Sequence, residues 1–275
     1  MTDAGEAAGL FGPDSVSWIV DRELIVLAGG SCALLMQAAH PVVAAGVAEH
    51  STYASDPFGR LLRTLTSSFD VVFGTRSEAE RTLDRVNTIH ERVRGRRPDD
   101  GSPYTALDPD ALLWVHATLV DTALRVYGRF VRPLAPAEEQ AYHGESARVA
   151  TRLGVPAELM PPTIGGLRAW MDERIEHGDV RVTPGARRIA RTVLYPSRFP
   201  PRGVWDVAHL VSMASLPEAL RRQYGIGWSP ARERGMDRIA AALRATLPFV
   251  PAPLRFAPQA RSAERRVRQA AGSIR

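Results

Sequence analysis

The chain has 275 residues, 45% of them apolar and 24% charged, values that exclude a disordered or fibrous polymer and predict a packed core large enough to hold a cofactor. All 35 basic residues are Arg, and they leave a net charge of +5; no helix-turn-helix, zinc-finger or aromatic RNA-binding pattern accompanies that charge, so no nucleic-acid partner is expected. A single cysteine, Cys32, excludes an intramolecular disulfide and a cysteine-rich zinc site.

From the start of the chain, MTDAGEAAGLFGPD is acidic and Gly-rich rather than a cationic leader followed by an apolar run, which makes the cytoplasm the expected compartment. Helical periodicity then carries almost the whole sequence. It predicts helices over Val16–Leu27, Ser31–Ala39, Val42–Glu49, Pro57–Phe73, Ser77–Val93, Pro109–Val131, Pro136–Leu153, Ile164–His177, Thr183–Leu194, Arg202–Leu210, Pro217–Tyr224, Pro230–Leu247 and Ser262–Ala271. Several starts are marked by chemistry: Asp56-Pro57 and Asp108-Pro109 each place a capping carboxylate before an N1 proline, and Ser77-Glu78-Ala79-Glu80 reads as a capped, acidic first turn. Leu24 to Ala48 has the length of a membrane span, but Gly29, Gly30, Gln37, His40 and Pro41 interrupt it. A core helix broken at the proline explains it better, so no stable membrane insertion is expected. The polar segment Gly95–Tyr104 reads as a linker between two helices. No strand pattern stands out. The last quarter, with Pro196, Pro200, Pro201, Pro248, Pro251, Pro253 and Pro258, reads as looser material around the core, ending in the basic run Arg261 to Arg275. The fold class expected is therefore all-α: one multi-helix domain, its core spanning about 16–247, with a Pro-rich, basic tail over 248–275.

Four places carry side chains suited to chemistry. On Ser77–Val93, Leu83, Val86, His90 and Val93 fall at spacings of three, four and three, which turns the His90 imidazole into the buried stripe. On the next long helix, Leu112, His116, Leu119, Ala123, Val126 and Phe130 make a similar stripe and turn His116 inward. Each is either a core histidine satisfied by a neighbour or a ligand. Within Pro57–Phe73, Arg60, Thr64, Ser67 and Val71 share one face, and Leu61, Leu65, Phe69 and Val72 the other. Arg60 and Arg63 are either solvated charges or partners for the carboxylates of a cofactor, and Arg94, one turn after His90, has the same two readings. His40, Glu49, His50 and Tyr53 lie in an otherwise apolar segment. A metal set of His40, Glu49 and His50 is conceivable there, although its spacing matches no established zinc pattern. Gly46 admits close approach of something bulky. Cys32, in an apolar helix, reads as inert core. No nucleophile elbow, P-loop or dinucleotide fingerprint occurs.

The ordered segments QAAHPVVAAGVAEHS, DPFGRLLRT, VNTIHERVRG, YTALDPDALLWVHATLVDT and GESARVATRLGVP, spanning Leu24 to Pro161, resemble the family of the latex-clearing proteins, also called the rubber oxygenase or MpaB catalytic-domain family. The chain is more similar to its small actinobacterial members than to the secreted rubber-cleaving enzymes. The resemblance implies a globin-like helical core holding haem b, with iron bound by the histidine of an H-x-x-V-R pattern. Here that pattern is His90-Glu91-Arg92-Val93-Arg94, which makes His90 the metal ligand and Arg94 a pocket residue. It also implies an arginine and, four residues on, a threonine beside the haem, matched by Arg60 and Thr64. Where the latex-clearing enzymes carry a catalytic lysine this chain has Arg63, a poor proton acceptor, and their catalytic glutamate has no secure counterpart. Rubber cleavage is therefore not carried over. Non-covalent haem agrees with the absence of a C-x-x-C-H motif. The distal side is open to Arg63 and Thr64 or to the segment His40–Tyr53, and His116 to bracing the pocket or touching the cofactor edge. The resulting expectation is an oxygenase-like oxidoreductase that uses dioxygen or a peroxide on an apolar small molecule such as a lipid, isoprenoid or secondary metabolite; the alternative is a haem-binding or sensing protein without turnover.

Overall fold

The computed structural model describes residues 3–197, 199 and 201–272; of the positions singled out above, Pro200 and Arg275 lie outside these. The architecture is all-α. Helix α1 (Asp3–Ala8) leads to α2 (Val16–Asp21), then α3 (Gly30–Ala39), α4 (Pro41–His50), α5 (Pro57–Phe73) and α6 (Arg76–Arg92). After a small hairpin come α7 (Pro109–Phe130), α8 (Pro136–Arg152), α9 (Ile164–Glu176), α10 (Pro184–Leu194), α11 (Arg202–Ala208) and α12 (Leu210–Ser215). The chain continues through α13 (Glu218–Tyr224), α14 (Pro230–Thr246) and α15 (Ala252–Arg255) to α16 (Pro258–Gly272).

The longest of these, α7, is the hub. Asp108 caps it by accepting from the Ala111 amide, with Pro109 in the first turn. Leu113, Trp114, Ala117, Val120 and Leu124 are buried against Cys32, Leu35, Met36 and Ala39 of α3, and Leu167 and Met171 of α9 join the same core. Each large side chain buried there contributes about 1.5–3 kcal/mol. The indole N–H of Trp114 donates to the Met36 carbonyl at 2.9 Å, which removes the cost of burying that donor. Close approach of the chain to α7 needs Gly29, where an added Cβ would come within 2.7 Å of Thr122 and 2.8 Å of Val126. Cys32 is buried, and its thiol is pushed up to about 12 by that burial, in keeping with an inert core residue.

The apolar stretch from Leu24 is bent. A 3-10 segment, Leu24–Gly29, and α3 run to His40, and α4 departs from Pro41 at 105°. Among the described residues no single helix is long and apolar enough to cross a membrane.

Four local expectations are corrected. The helix predicted over Val16–Leu27 stops at Asp21, because Glu23 leaves it to make a bridge to Phe256 and an ion pair with Arg255. The cap of α6 is Thr75 rather than Ser77: its hydroxyl accepts from the Glu78 amide, and the Glu78 carboxylate accepts from the Thr75 amide. The presumed linker contains two short antiparallel strands, β1 (Arg94–Arg96) and β2 (Pro103–Thr105), paired Arg94 to Thr105 and Arg96 to Pro103. On α7, Leu119 falls out of the buried stripe and is 51% exposed.

The C-terminal segment is docked rather than loose. Ala257, Ala260 and Ala263 are buried against Trp18 and Phe73. Arg255 holds the buried Glu23 carboxylate through its Nε at 2.9 and 3.0 Å, and the Arg266 guanidinium donates to the carbonyls of Ala7 and Phe73.

Candidate functional site

Helices α5 and α6 form an antiparallel pair joined at Gly74. Asp56 caps α5 by accepting from the Gly59 amide at 2.9 Å, and Thr82 of α6 donates to Asp70 of α5 at 3.5 Å. The joined end is well packed: Phe73, Ala79 and Leu83 are buried, and Trp18 meets Phe73 edge-on at 5.1 Å. The other end is open. Phe58, Leu61 and Leu62 of α5 are 55%, 43% and 65% exposed and Ile89 of α6 is 54% exposed. A sharply amphipathic helix thus leaves the first half of its apolar face largely exposed, which marks a surface able to take up something apolar.

His90 sits at that open end, two turns beyond Thr82. Its ring is partly covered, its Nδ1 is buried without a hydrogen-bond partner, and no described residue bonds to either ring nitrogen. Burial holds its pKa below the ordinary histidine value, so the ring is neutral at pH 7 and presents a lone pair. An orphaned buried imidazole nitrogen is costly unless a bound group supplies its partner.

Arg60 and Arg63 lie near the start of α5. The Nε–H of Arg60 donates to Ser51 Oγ at 2.7 Å, and among the described residues its guanidinium pairs with no carboxylate. Burial, and then the neighbouring Arg63 charge, hold its pKa below that of free arginine. Arg63 is exposed and satisfied by Asp56 at 3.1 Å and Thr52 at 2.8 Å. The exposed Thr64 hydroxyl donates to the Arg60 carbonyl at 3.0 Å. Arg94 opens β1, its side chain exposed and free of any ion pair among the described residues. Its carbonyl meets His50 Nε2 at 3.2 Å, and the Tyr104 hydroxyl donates to Glu49 at 2.5 Å. Glu49 and His50 therefore tie α4 to the hairpin. Gly46 is the point of contact, since a Cβ there would lie 3.3 Å from Val93 and 3.7 Å from Tyr104.

His40 and His116 lie elsewhere. His40 is buried at the α3–α4 bend; its Nε2 is 3.4 Å from Asp110 Oδ2, and its ring stacks 6.4 Å from Trp114. Asp110 is also bound by Arg174 of α9, and together with His40 this holds the Asp110 carboxyl below its ordinary pKa. No hydrogen bond, ion pair or ring contact among the described residues joins His40 to α5 or α6. His116, two residues past Trp114, points to the opposite face of α7. There it faces His143 of α8, and burial, helped by the His143 charge, pushes it down to about 4. Its Nε2 is buried without a partner, and His143 Nε2 meets the Pro161 carbonyl at 2.8 Å. The metal set His40, Glu49 and His50 does not form: no cluster of three such ligands occurs among the described residues, because the bend at Pro41 sends His40 to α7 and the other two to the hairpin.

Residues 17–245 match the family described as "ER-bound oxygenase mpaB/B'/Rubber oxygenase, catalytic domain". The chain belongs to this mpaB/rubber oxygenase family. Its similar relatives include uncharacterized proteins of Mycobacterium bovis and Mycobacterium tuberculosis, each 28% identical over 233 residues, covering 79% of this chain and 87% of theirs. No solved structure matches it. Membership of an oxygenase family gives the chain a general oxygenase role, with a small-molecule substrate and dioxygen as co-reactant.

In this mpaB/rubber oxygenase chain Arg60, Arg63 and Thr64 stand on α5 and His90 on its neighbour α6, with Arg94 just after that helix. The structure also supplies residues that sequence reasoning missed. Trp205 of α11 lies 6.5 Å from Phe58 and stacks 6.2 Å from His209, whose Nδ1 meets Ser31 Oγ at 2.9 Å. Trp205 Nε1 is buried without a hydrogen-bond partner among the described residues. The spacing of Trp205 and His209 along one helix was the available signal.

Proposed function

We propose that this chain is a haem b-dependent oxygenase acting on an apolar small molecule, with His90 as the axial iron ligand. The observation that carries the reading is the neutral His90 ring, unpartnered at a buried nitrogen, at the open, apolar end of the α5–α6 pair.

The residues present fit the group. A neutral imidazole suits iron. Arg60, partly buried, and Arg94, exposed at the rim, both without a carboxylate among the described residues, suit two propionates. Phe58, Leu61, Leu62 and Ile89 suit the face of a porphyrin and the body of an apolar substrate. Bound there, haem b supplies iron able to activate dioxygen or a peroxide.

The chain's own residues set the conditions for that chemistry. Covering the apolar end of α5 excludes water and strengthens every polar contact inside. Arg63, charged and anchored on Asp56, holds positive charge near the reacting centre rather than accepting a proton. Thr64 gives its proton to the Arg60 carbonyl, which leaves its oxygen as an acceptor toward the site. His40 we assign to bracing the α3–α4 bend through Asp110, and His116 to bracing α7 against α8.

Haem titration with absorption spectroscopy tests the reading. Wild-type protein is expected to develop a Soret band at one equivalent, and His90→Ala to lose it or bind at least tenfold more weakly. A spectrum unchanged by His90→Ala overturns the assignment. The replacement of lysine by Arg63 favours a second reading, haem binding without turnover, which substrate-dependent consumption of oxygen or peroxide rules out.

A further inference from the structure

Two of the cavities outside the α5–α6 pair carry charges that differ in kind. The first, of about 560 Å³, is lined by Ile19, Tyr127 and Val131 together with several arginines. Three of its four guanidiniums are already matched, Arg22 to Glu264, Arg132 to Glu138 and Arg255 to Glu23, and the fourth, that of Arg244, donates to the Arg129 carbonyl. Nothing there calls for an outside anion.

The second, of about 490 Å³, lies between α10, α11, α12 and α13 and is ringed by Arg187, Arg191, Arg202 and Arg232. None of these four makes an ion pair among the described residues. Arg187 and Arg191 stand four apart on α10, where like charges repel across one turn. Arg202 lies over the Tyr195 ring at 4.3 Å, and Arg232 spends one N–H on the Gly227 carbonyl. One carboxylate, Asp206, lines the cavity, and the Tyr195 hydroxyl donates to it at 2.6 Å. Below the charged rim the wall is apolar: Leu194 and Met213 are buried, Leu210 is partly covered, and Val207 is 72% exposed at the edge. The cavity lies on the other side of α11 from the Phe58–Trp205 contact, since Asp206 and Val207 face it while Trp205 meets α5.

We infer that this cavity is a second ligand site, for a single-chain amphipathic carboxylate of the fatty-acid type. The carboxylate sits among the guanidiniums of Arg187, Arg191 and Arg202, and the hydrocarbon chain lies along Leu194, Leu210 and Met213. Guanidinium forks match a carboxylate in plane and charge. A cavity of this size, its lining divided between polar groups and apolar side chains, is of the kind that takes one amphipathic small molecule. Covering Val207 adds apolar burial that an inorganic anion cannot provide. The site does not depend on haem, and its failure leaves the reading of His90 untouched.

Calorimetric titration of the full chain with dodecanoate below its micellar concentration, in parallel with 1-dodecanol and inorganic phosphate, tests the site. Dodecanoate is expected to bind one to one, with both other probes at least tenfold weaker. The exposed double substitution Arg187→Gln with Arg191→Gln is expected to weaken dodecanoate at least tenfold, while its helical circular dichroism and its haem-induced Soret band stay as in wild type. Val207→Asp, which puts a negative charge at the chain's path, should weaken it in the same way. Equal binding of dodecanol would overturn the anionic assignment, and equal binding of phosphate the amphipathic one. No dodecanoate binding, or binding indifferent to the double substitution, would overturn the site itself.

Discussion

Asp21 and His116 show how two partly hidden ionisable groups act against each other. Burial pushes the Asp21 carboxyl, which accepts from the Tyr142 hydroxyl at 3.0 Å, up to about 7. The folded state then holds a proton that the unfolded chain releases near pH 3.8, so this group's stability is present below that pH and is lost as pH rises through about 7. His116 has the reverse sign. Its folded value of about 4 lies below the unfolded 6.5, so its contribution is present above 6.5 and is lost as pH falls through about 4. Over the shared window the two slopes, each up to about 1.4 kcal/mol per pH unit, oppose one another. Denaturation of Asp21→Asn should therefore show stability climbing from pH 4 to 6.5, and His116→Leu should show it falling from pH 4 to 7; parallel curves for the two variants would contradict this account. His116 was legible as an inward residue from its helical spacing, but the influence of His143 on it was not. That influence depends on how α8 lies across α7, which no local pattern records. His90 was legible for the opposite reason: its orientation follows from Leu83 and Val86 on its own helix.

At the level of elements, α5 has strong helix-forming signals and weak tertiary support. Its cap, its N1 proline and its period are all written locally in Asp56-Pro57 and the leucines that follow, and its limits in the structure are those predicted. The same period leaves Leu61 and Leu62 on an exposed part of the surface. Amide exchange should accordingly be fast over residues 58–65 and slow over 66–73 in protein without haem, with the fast half slowing when haem is added. Uniform exchange along the helix would argue against an open end. The β1–β2 hairpin escaped sequence reading because Arg-Gly-Arg has no apolar alternation. Its register is set by Gly46, Glu49 and His50 of α4, far back in the chain. The start of α6 shifted for a smaller reason: Thr75 and Ser77 each stand three residues before a glutamate, Glu78 and Glu80, and the capping box closes at the first pair.

For the molecule as a whole, the surprise is the role of the last residues. A run rich in proline and arginine suggested a loose tail, yet α15 and α16 close over Trp18 and Phe73 and place Arg255 on a carboxylate that is 1% exposed. Sequence reasoning missed this because the burying side chains are alanines, Ala257, Ala260 and Ala263, too small to mark a stripe. Arg255→Leu should cost roughly 3–5 kcal/mol in urea denaturation, since it strands Glu23 without its cation. A loss under about 1 kcal/mol would mean that water already reaches that pair. The partners stand 232 positions apart. A nascent chain leaving the ribosome therefore carries Trp18 and Phe73 without their alanine neighbours until α16 has emerged. That wait makes this closure a natural point for chaperone attendance during translation.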